Sequence, residues 1–222
     1  MTTTPEDVLI VHGGWSGHEP EQTAHHAAAL LRARGLTVTV ANDLAVFADV
    51  ERLRRLRLIV PVWTMGTIDN ALVKNVSAAV REGVGLAGWH GGMCDAFRQD
   101  VEWQFMTGGQ WVAHPGNILT YGVDIHDRCH LITEGVADFS ITTEQYYLHV
   151  DPAVNVLATT VFSGEHGGMD WIRGVRMPVA WTKPWGKGRV FYTALGHTVP
   201  ALQQPDSQRL LDRGMAWAAR LL

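Results

Sequence analysis

The stretch Val84-Gly85-Leu86-Ala87-Gly88-Trp89-His90-Gly91-Gly92 decides the fold. Residues 84–88 are small and branched apolar residues that read as a buried strand, and the glycines after them read as a sharp turn. A strand entering such a turn lifts its middle side chain over the sheet, and glycines are needed because the chain is tight and neighbouring backbone comes close. The lifted residue is His90, where an acyl-transfer enzyme would carry Ser or Cys. Cys94 stands four residues too late for that position. An imidazole there can act as base, acid or metal ligand and is a rare covalent nucleophile. The plainer alternative is a loop histidine bonded to backbone.

Working outward, strand and helix signals alternate through the first half, as in a parallel α/β sheet. Val8–Val11 reads as a first strand ending in His12-Gly13-Gly14, and Glu19–Arg34 as a helix stopped by Gly35. Leu36–Ala41 and Leu58–Trp63 read as strands, and Thr67–Arg81 as a helix capped by Thr67. A helix-like stretch over Cys94–Met106 follows the turn. The second half is richer in strands: Ile118–Ile125, Thr142–Val150, Val154–Phe162, Pro178–Thr182 and Gly188–Ala194, with a hairpin turn at residues 184–188. Asp206–Leu222 reads as a closing amphipathic helix capped by Asp206. With no repeat or linker, residues 1–222 form one domain in this reading.

Composition narrows the function classes. Of 222 residues, 46% are hydrophobic and 18% charged, with a formal charge of -4. That is a globular balance and argues against a nucleic-acid partner. The one dense basic group, Arg52, Arg54, Arg55 and Arg57, sits at a helix end, where the dipole favours cations. No apolar run reaches membrane-spanning length, so no membrane association is expected, and residues 1–7 lack the basic start of a signal peptide. Two cysteines without pairing spacing indicate a reducing, cytoplasmic setting.

Ligands of parallel sheets bind beyond the carboxyl ends of the strands. His12, residues 63–65, His90 and His197 all stand at or just after predicted strands and so point to one crevice. The loop from Gly13 to Glu19 reads as substrate-contacting, although His12-x5-His18 is not a familiar metal spacing.

At this point the chain resembles the trehalose-utilisation (ThuA-like) family, whose fold is similar to the class I glutamine amidotransferases. The resemblance is carried by His12-Gly13-Gly14, residues 85–91, Thr143-Glu144-Gln145-Tyr146-Tyr147, Pro178-Val179-Ala180-Trp181 and residues 186–198. It implies an open, mainly parallel sheet of flavodoxin-like order flanked by helices, with extra strands in the second half. It also implies a role in the metabolism of trehalose or a related disaccharide or keto-sugar. Two departures from amidotransferases stand out: His90 replaces the nucleophile, and Gly196-His197-Thr198 stands where His-Pro-Glu would follow a late strand. Glutamine hydrolysis is not expected.

The site expected from these readings has His90 and His197 as acid/base or metal-holding groups and Glu144 as their orienter. His12, Trp15, Trp63, Trp89 and Tyr146 are expected to bind substrate, the indoles through ring stacking on a pyranose. If a divalent ion such as zinc is bound, the ligands expected are His90, His197, Glu144 and His12. The expected partner is a small-molecule carbohydrate, with a homo-oligomer as the usual assembly of this class. Two alternatives stay open: a non-catalytic carbohydrate-binding or regulatory module, and a subunit working with a dehydrogenase partner.

Overall fold

The computed structural model describes residues 6–222, so the reading of residues 1–5 lies outside it. In chain order the first half runs β1 (Val8–Gly14), α1 (Pro20–Ala33), β2 (Val38–Ala41), α2 (Val50–Arg55), β3 (Leu58–Thr64), α3 (Asn70–Glu82), β4 (Gly85–Trp89) and α4 (His90–Cys94). Then come α5 (Val101–Thr107), β5 (Gly109–Ala113), β6 (Ile118–Ile125), β7 (Phe139–Glu144), β8 (Tyr147–Val150) and β9 (Asn155–Val161). The chain closes with β10 (Arg176–Trp185), β11 (Gly188–Thr193), α6 (Val199–Leu202) and α7 (Pro205–Ala218).

Nine strands form one sheet in the order β2-β1-β3-β4-β11-β10-β9-β6-β7. From β2 to β11 every pair is parallel, and from β11 to β7 every pair is antiparallel. The expected mainly parallel sheet is therefore mixed. Hairpins explain the difference: short connections such as Gly186-Lys187 between β10 and β11 can join only antiparallel neighbours.

Apolar layers cover both faces. Val8, Ile10, Leu58 and Val60 pack with Ala24, Ala27, Ala28 and Leu31 of α1 and with Leu210, Leu211 and Met215 of α7. Leu9, Val11, Ile59 and Leu86 pack on the other face with α2, α3 and α5. Residues i and i+2 of a strand share a face, which is why successive apolar residues feed two different layers. Each fully buried Val, Leu or Ile contributes about 1.5–3 kcal/mol of burial free energy.

Several expected boundaries move for local reasons. The second long helix begins at Asn70, not Thr67, because the Asp69 carboxylate accepts the Ala71 N–H at 2.8 Å. The last helix begins at Pro205, so Asp206 lies inside its first turn and pairs with Arg209 instead of capping. The stretch 94–106 is not one helix. Phe97 adopts a left-handed φ of 50°, and Asp100 starts α5 afresh by accepting the Trp103 N–H. The expected strand 142–150 breaks at Gln145-Tyr146, which places β7 in the large sheet and β8 in a two-stranded sheet with β5.

That break matters for the site. The β6–β7 ribbon is joined to β9 through only two residue pairs, Asp124 with Thr159 and Ile125 with Ala158. Beyond them side chains keep it beside β9, with Thr160 donating to the Gly122 carbonyl and Gln145 donating to Thr160, and its end, Glu144, reaches the loops of the parallel half.

Candidate active site and metal centre

The turn after β4 has the strained geometry its glycines predict. His90 has φ 47°, a left-handed conformation that a side-chain-bearing residue adopts at a cost of about 1–2 kcal/mol. A Cβ on Gly91 would stand 2.6 Å from His18 Cε1 and 2.7 Å from His18 Nδ1, so only glycine lets the first loop approach the turn. The Glu19 carboxylate accepts the Val199 N–H at 3.0 Å and ties the His18 loop to the start of α6. Three loops at the carboxyl ends of β1, β4 and β11 thus carry His18, His90 and His197 to one point.

Glu144 meets them there. Its Oε2 lies 3.0 Å from His90 Nε2, 3.3 Å from His197 Nδ1 and 3.8 Å from His18 Nε2. One ligand atom from each of His18, His90, Glu144 and His197 falls within 4.8 Å of all the others. Around a tetrahedral zinc with ligands at 2.0–2.1 Å, neighbouring donors stand about 3.4 Å apart. Three imidazoles and one carboxylate are also the donor set that zinc and similar divalent ions prefer.

Hydrogen bonding fixes which atoms face the centre. His90 Nδ1 lies 2.8 Å from the Ala194 carbonyl oxygen. A carbonyl only accepts, so Nδ1 carries the proton and the neutral ring presents the Nε2 lone pair to Glu144. His18 is oriented likewise by a 2.8 Å contact between Nδ1 and Thr64 Oγ1. Such outer contacts are typical of metal-ligating histidines. His197 Nδ1 is shielded from solvent and has no hydrogen-bond partner among the described residues, despite its approach to Glu144.

Charge follows from burial and neighbours. Burial lowers the His90 pKa to about 4, only partly opposed by Glu144, so the ring is neutral near pH 7. Burial works against the charge of Glu144 too, but His18 and His197 beside it outweigh burial and hold the carboxyl well below the usual range. A lone pair and a carboxylate therefore face each other at 3.0 Å, a contact that calls for a cation between them.

The expected residues divide. His90, His197 and Glu144 converge. His12 does not: strand alternation turns it to the face of Val8 and Ile10, toward Glu21 and His25 of α1, where burial lowers its pKa. Its place is taken by His18, six residues on in the loop that follows β1. Trp15 is half exposed at the rim, edge-on to His18 with centroids 4.7 Å apart. Tyr146 is buried and stacks on His90 at 3.9 Å, so it supports the cluster from behind. Trp89 belongs to the core beside Gly196, and the Trp63 ring lies over Gly13 and Gly66. Trp89 also lines, with His18 and His90, a small hollow beside the cluster. His114, passed over in the sequence, stands with Nε2 3.8 Å from Glu144 Oε1. Cys94 is buried, and burial pushes its thiol far from ionisation, so it supplies no thiolate.

Comparison with known proteins finds a matching family model and solved structures of similar fold. The family model described as trehalose utilisation (ThuA) matches residues 7–218. A ThuA-like protein of Parabacteroides merdae is 19% identical, with a TM-score of 0.77 over 97% of this chain and 90% of that one. One from Bacteroides uniformis is 17% identical, with a TM-score of 0.76 over 98% and 93% of the two chains. A β-galactosidase from Rahnella sp. R3 is similar at 17% identity and a TM-score of 0.62, over 97% of this chain but 31% of its own. Likenesses at these identities establish fold alone. A search of curated proteins found no match. No helix among the described residues is long and apolar enough to cross a membrane.

Proposed function

Because the chain belongs to the trehalose-utilisation (ThuA) family, we propose that it is an enzyme of carbohydrate metabolism acting on a sugar, glycoside or oxidised (keto) sugar. The reaction takes place at the His18–His90–Glu144–His197 cluster, with a divalent ion such as zinc as its cofactor. The observation that carries this reading is the convergence of one ligand atom from each of these four residues to within 4.8 Å of one another. In the same proposal residues 1–222 are one ThuA-like domain, and the order β2-β1-β3-β4-β11 is read as flavodoxin-like, as in class I amidotransferases.

His18, His90 and Glu144 would hold the ion. The two rings are fixed by Thr64 and Ala194, and Tyr121 donates to the Glu144 backbone carbonyl at 3.1 Å. Bound there, such an ion supplies Lewis-acid polarisation of a sugar oxygen. His197 is the proton-moving residue, since its Nδ1 has no hydrogen bond to spend and a histidine base suits proton abstraction beside a carbonyl near neutral pH. Trp15 offers its exposed indole to the sugar ring. A homo-oligomer, a cytoplasmic setting and a dehydrogenase partner that supplies an oxidised sugar complete the proposal.

The test is hydrogen exchange at carbon. Keto-sugars incubated in deuterated water with zinc-loaded protein should gain deuterium beside the carbonyl, read by NMR. His197→Gln should abolish the exchange and keep the zinc. Saturable sugar binding with no exchange or product, unchanged in His90→Ala, would instead identify a binding module.

A further inference from the structure

The cluster occupies one oxygen of Glu144. Oε2 faces His18, His90 and His197, whereas Oε1 faces His114. The His114 side chain is 30% exposed, against 13% or less for the four cluster residues, so it lies on the outer side of the cluster. His114 follows β5 directly and lies beside Trp111 of that strand, with ring centroids 5.5 Å apart. Tyr146 lies nearly parallel to His114 at 6.3 Å and to His90 at 3.9 Å, so a column of rings joins this outer wall to the cluster.

The wall is held rigidly. The Arg98 guanidinium stands 4.7 Å over the Trp111 ring and is itself fixed by two hydrogen bonds to Asp95, of 2.6 and 2.9 Å. Yet Trp111 Nε1 and His114 Nδ1 are shielded from solvent and have no hydrogen-bond partner among the described residues. Shielded polar atoms of this kind are rare in folded proteins and call for an explanation. An indole N–H and a guanidinium only donate.

We propose that Trp111 and His114 are substrate-binding residues that receive an sp2 oxygen of the ligand, a carboxylate or a ketone, on the outer side of Glu144. Trp111 Nε1 donates to that oxygen, and the His114 ring, adjacent to both Trp111 and Glu144, sets its distance from the cluster. A carboxylate or ketone oxygen carries no proton and, when ionised, accepts more strongly than a hydroxyl, so it complements the indole N–H beneath the Arg98 guanidinium. The proposal rests on the sugar-site reading above and adds which part of the ligand lies where.

The experiment titrates isotope-labelled, zinc-treated protein with D-gluconate, dihydroxyacetone and D-sorbitol. The Trp111 indole signal, assigned by its loss in Trp111→Phe, should shift saturably with gluconate or dihydroxyacetone and stay still with sorbitol. The stronger of the two identifies carboxylate or ketone. Calorimetric affinity for that probe should fall at least tenfold in Trp111→Phe and in His114→Asn, with zinc uptake and melting temperature unchanged. A Trp111 signal that ignores both probes, moves equally with sorbitol, or marks binding that both variants retain overturns the proposal. Should the wild-type chain take up no zinc, the metal reading fails by itself, and the indole shift on the same sample still decides the wall.

Discussion

The two halves of the large sheet contribute different chemistry. The parallel half, β2-β1-β3-β4-β11, ends in loops that deliver the imidazoles His18, His90 and His197. The antiparallel half delivers the single carboxylate, Glu144, at the end of a ribbon joined to the rest of the sheet through two residue pairs. Parallel α/β sheets gather ligands beyond their strand ends as a matter of topology. The carboxylate that completes the cation site is an addition from outside that topology. The site exists only where both halves meet, and each half can be perturbed separately.

The largest effect is expected from the antiparallel side. Glu144→Gln should remove zinc uptake altogether, measured by metal analysis after dialysis. Its amide can donate to the His90 Nε2 lone pair that the carboxylate repels, so the metal-free variant should melt no lower than metal-free wild type. A variant that keeps zinc would show that the parallel half suffices.

Acid should weaken the parallel side next. His90 is held neutral, with its pKa lowered by burial to about 4 from 6.5. The unfolded chain therefore binds more protons between those values, and stability falls as pH drops through that window. The full contribution is present above pH 6.5, and the loss on reaching pH 4 amounts to about 3 kcal/mol. Denaturant unfolding of chelator-treated protein at pH 7 and 4.5 measures most of it. Stability that is flat across this range would mean that His90 is protonated in the fold.

Thr64→Val sharpens the comparison further. It removes the oxygen that orients His18 and should lower zinc affinity roughly 10–100-fold without abolishing binding. The smallest effect belongs to the rim: Trp15→Ala should change stability by less than about 0.5 kcal/mol while weakening sugar binding in the same titration.

The parallel half was largely legible in the sequence because its signals are local. The apolar runs, the stop at Gly35 and the turn around His90 each depend on a few neighbouring residues. Local signals also misled there. His12 stands at the end of an apolar run, but β1 continues to Gly14 and turns His12 away, leaving His18 to complete the cluster. The antiparallel half was less legible because its information is long-range. Nothing near residue 145 in the chain announces that β7 and β8 join different sheets, which is what brings Glu144 to the edge and Tyr146 to the face of the His90 ring. The importance of His114 likewise depends on where the ribbon ends. Trp63 and Trp89 show the limit of reasoning from residue type, since both lie near strand ends and both pack against the core, which residue type alone does not separate from contact with a ligand.

Metal analysis of the purified chain, equilibrated with zinc and then freed of excess ion, tests the central claim most directly. About one zinc ion per chain, released by protonation of its ligands below neutral pH, is the result expected for a centre held by His18, His90 and Glu144. A correctly folded chain that retains no zinc, cobalt or manganese at any pH between 6 and 9 would contradict it.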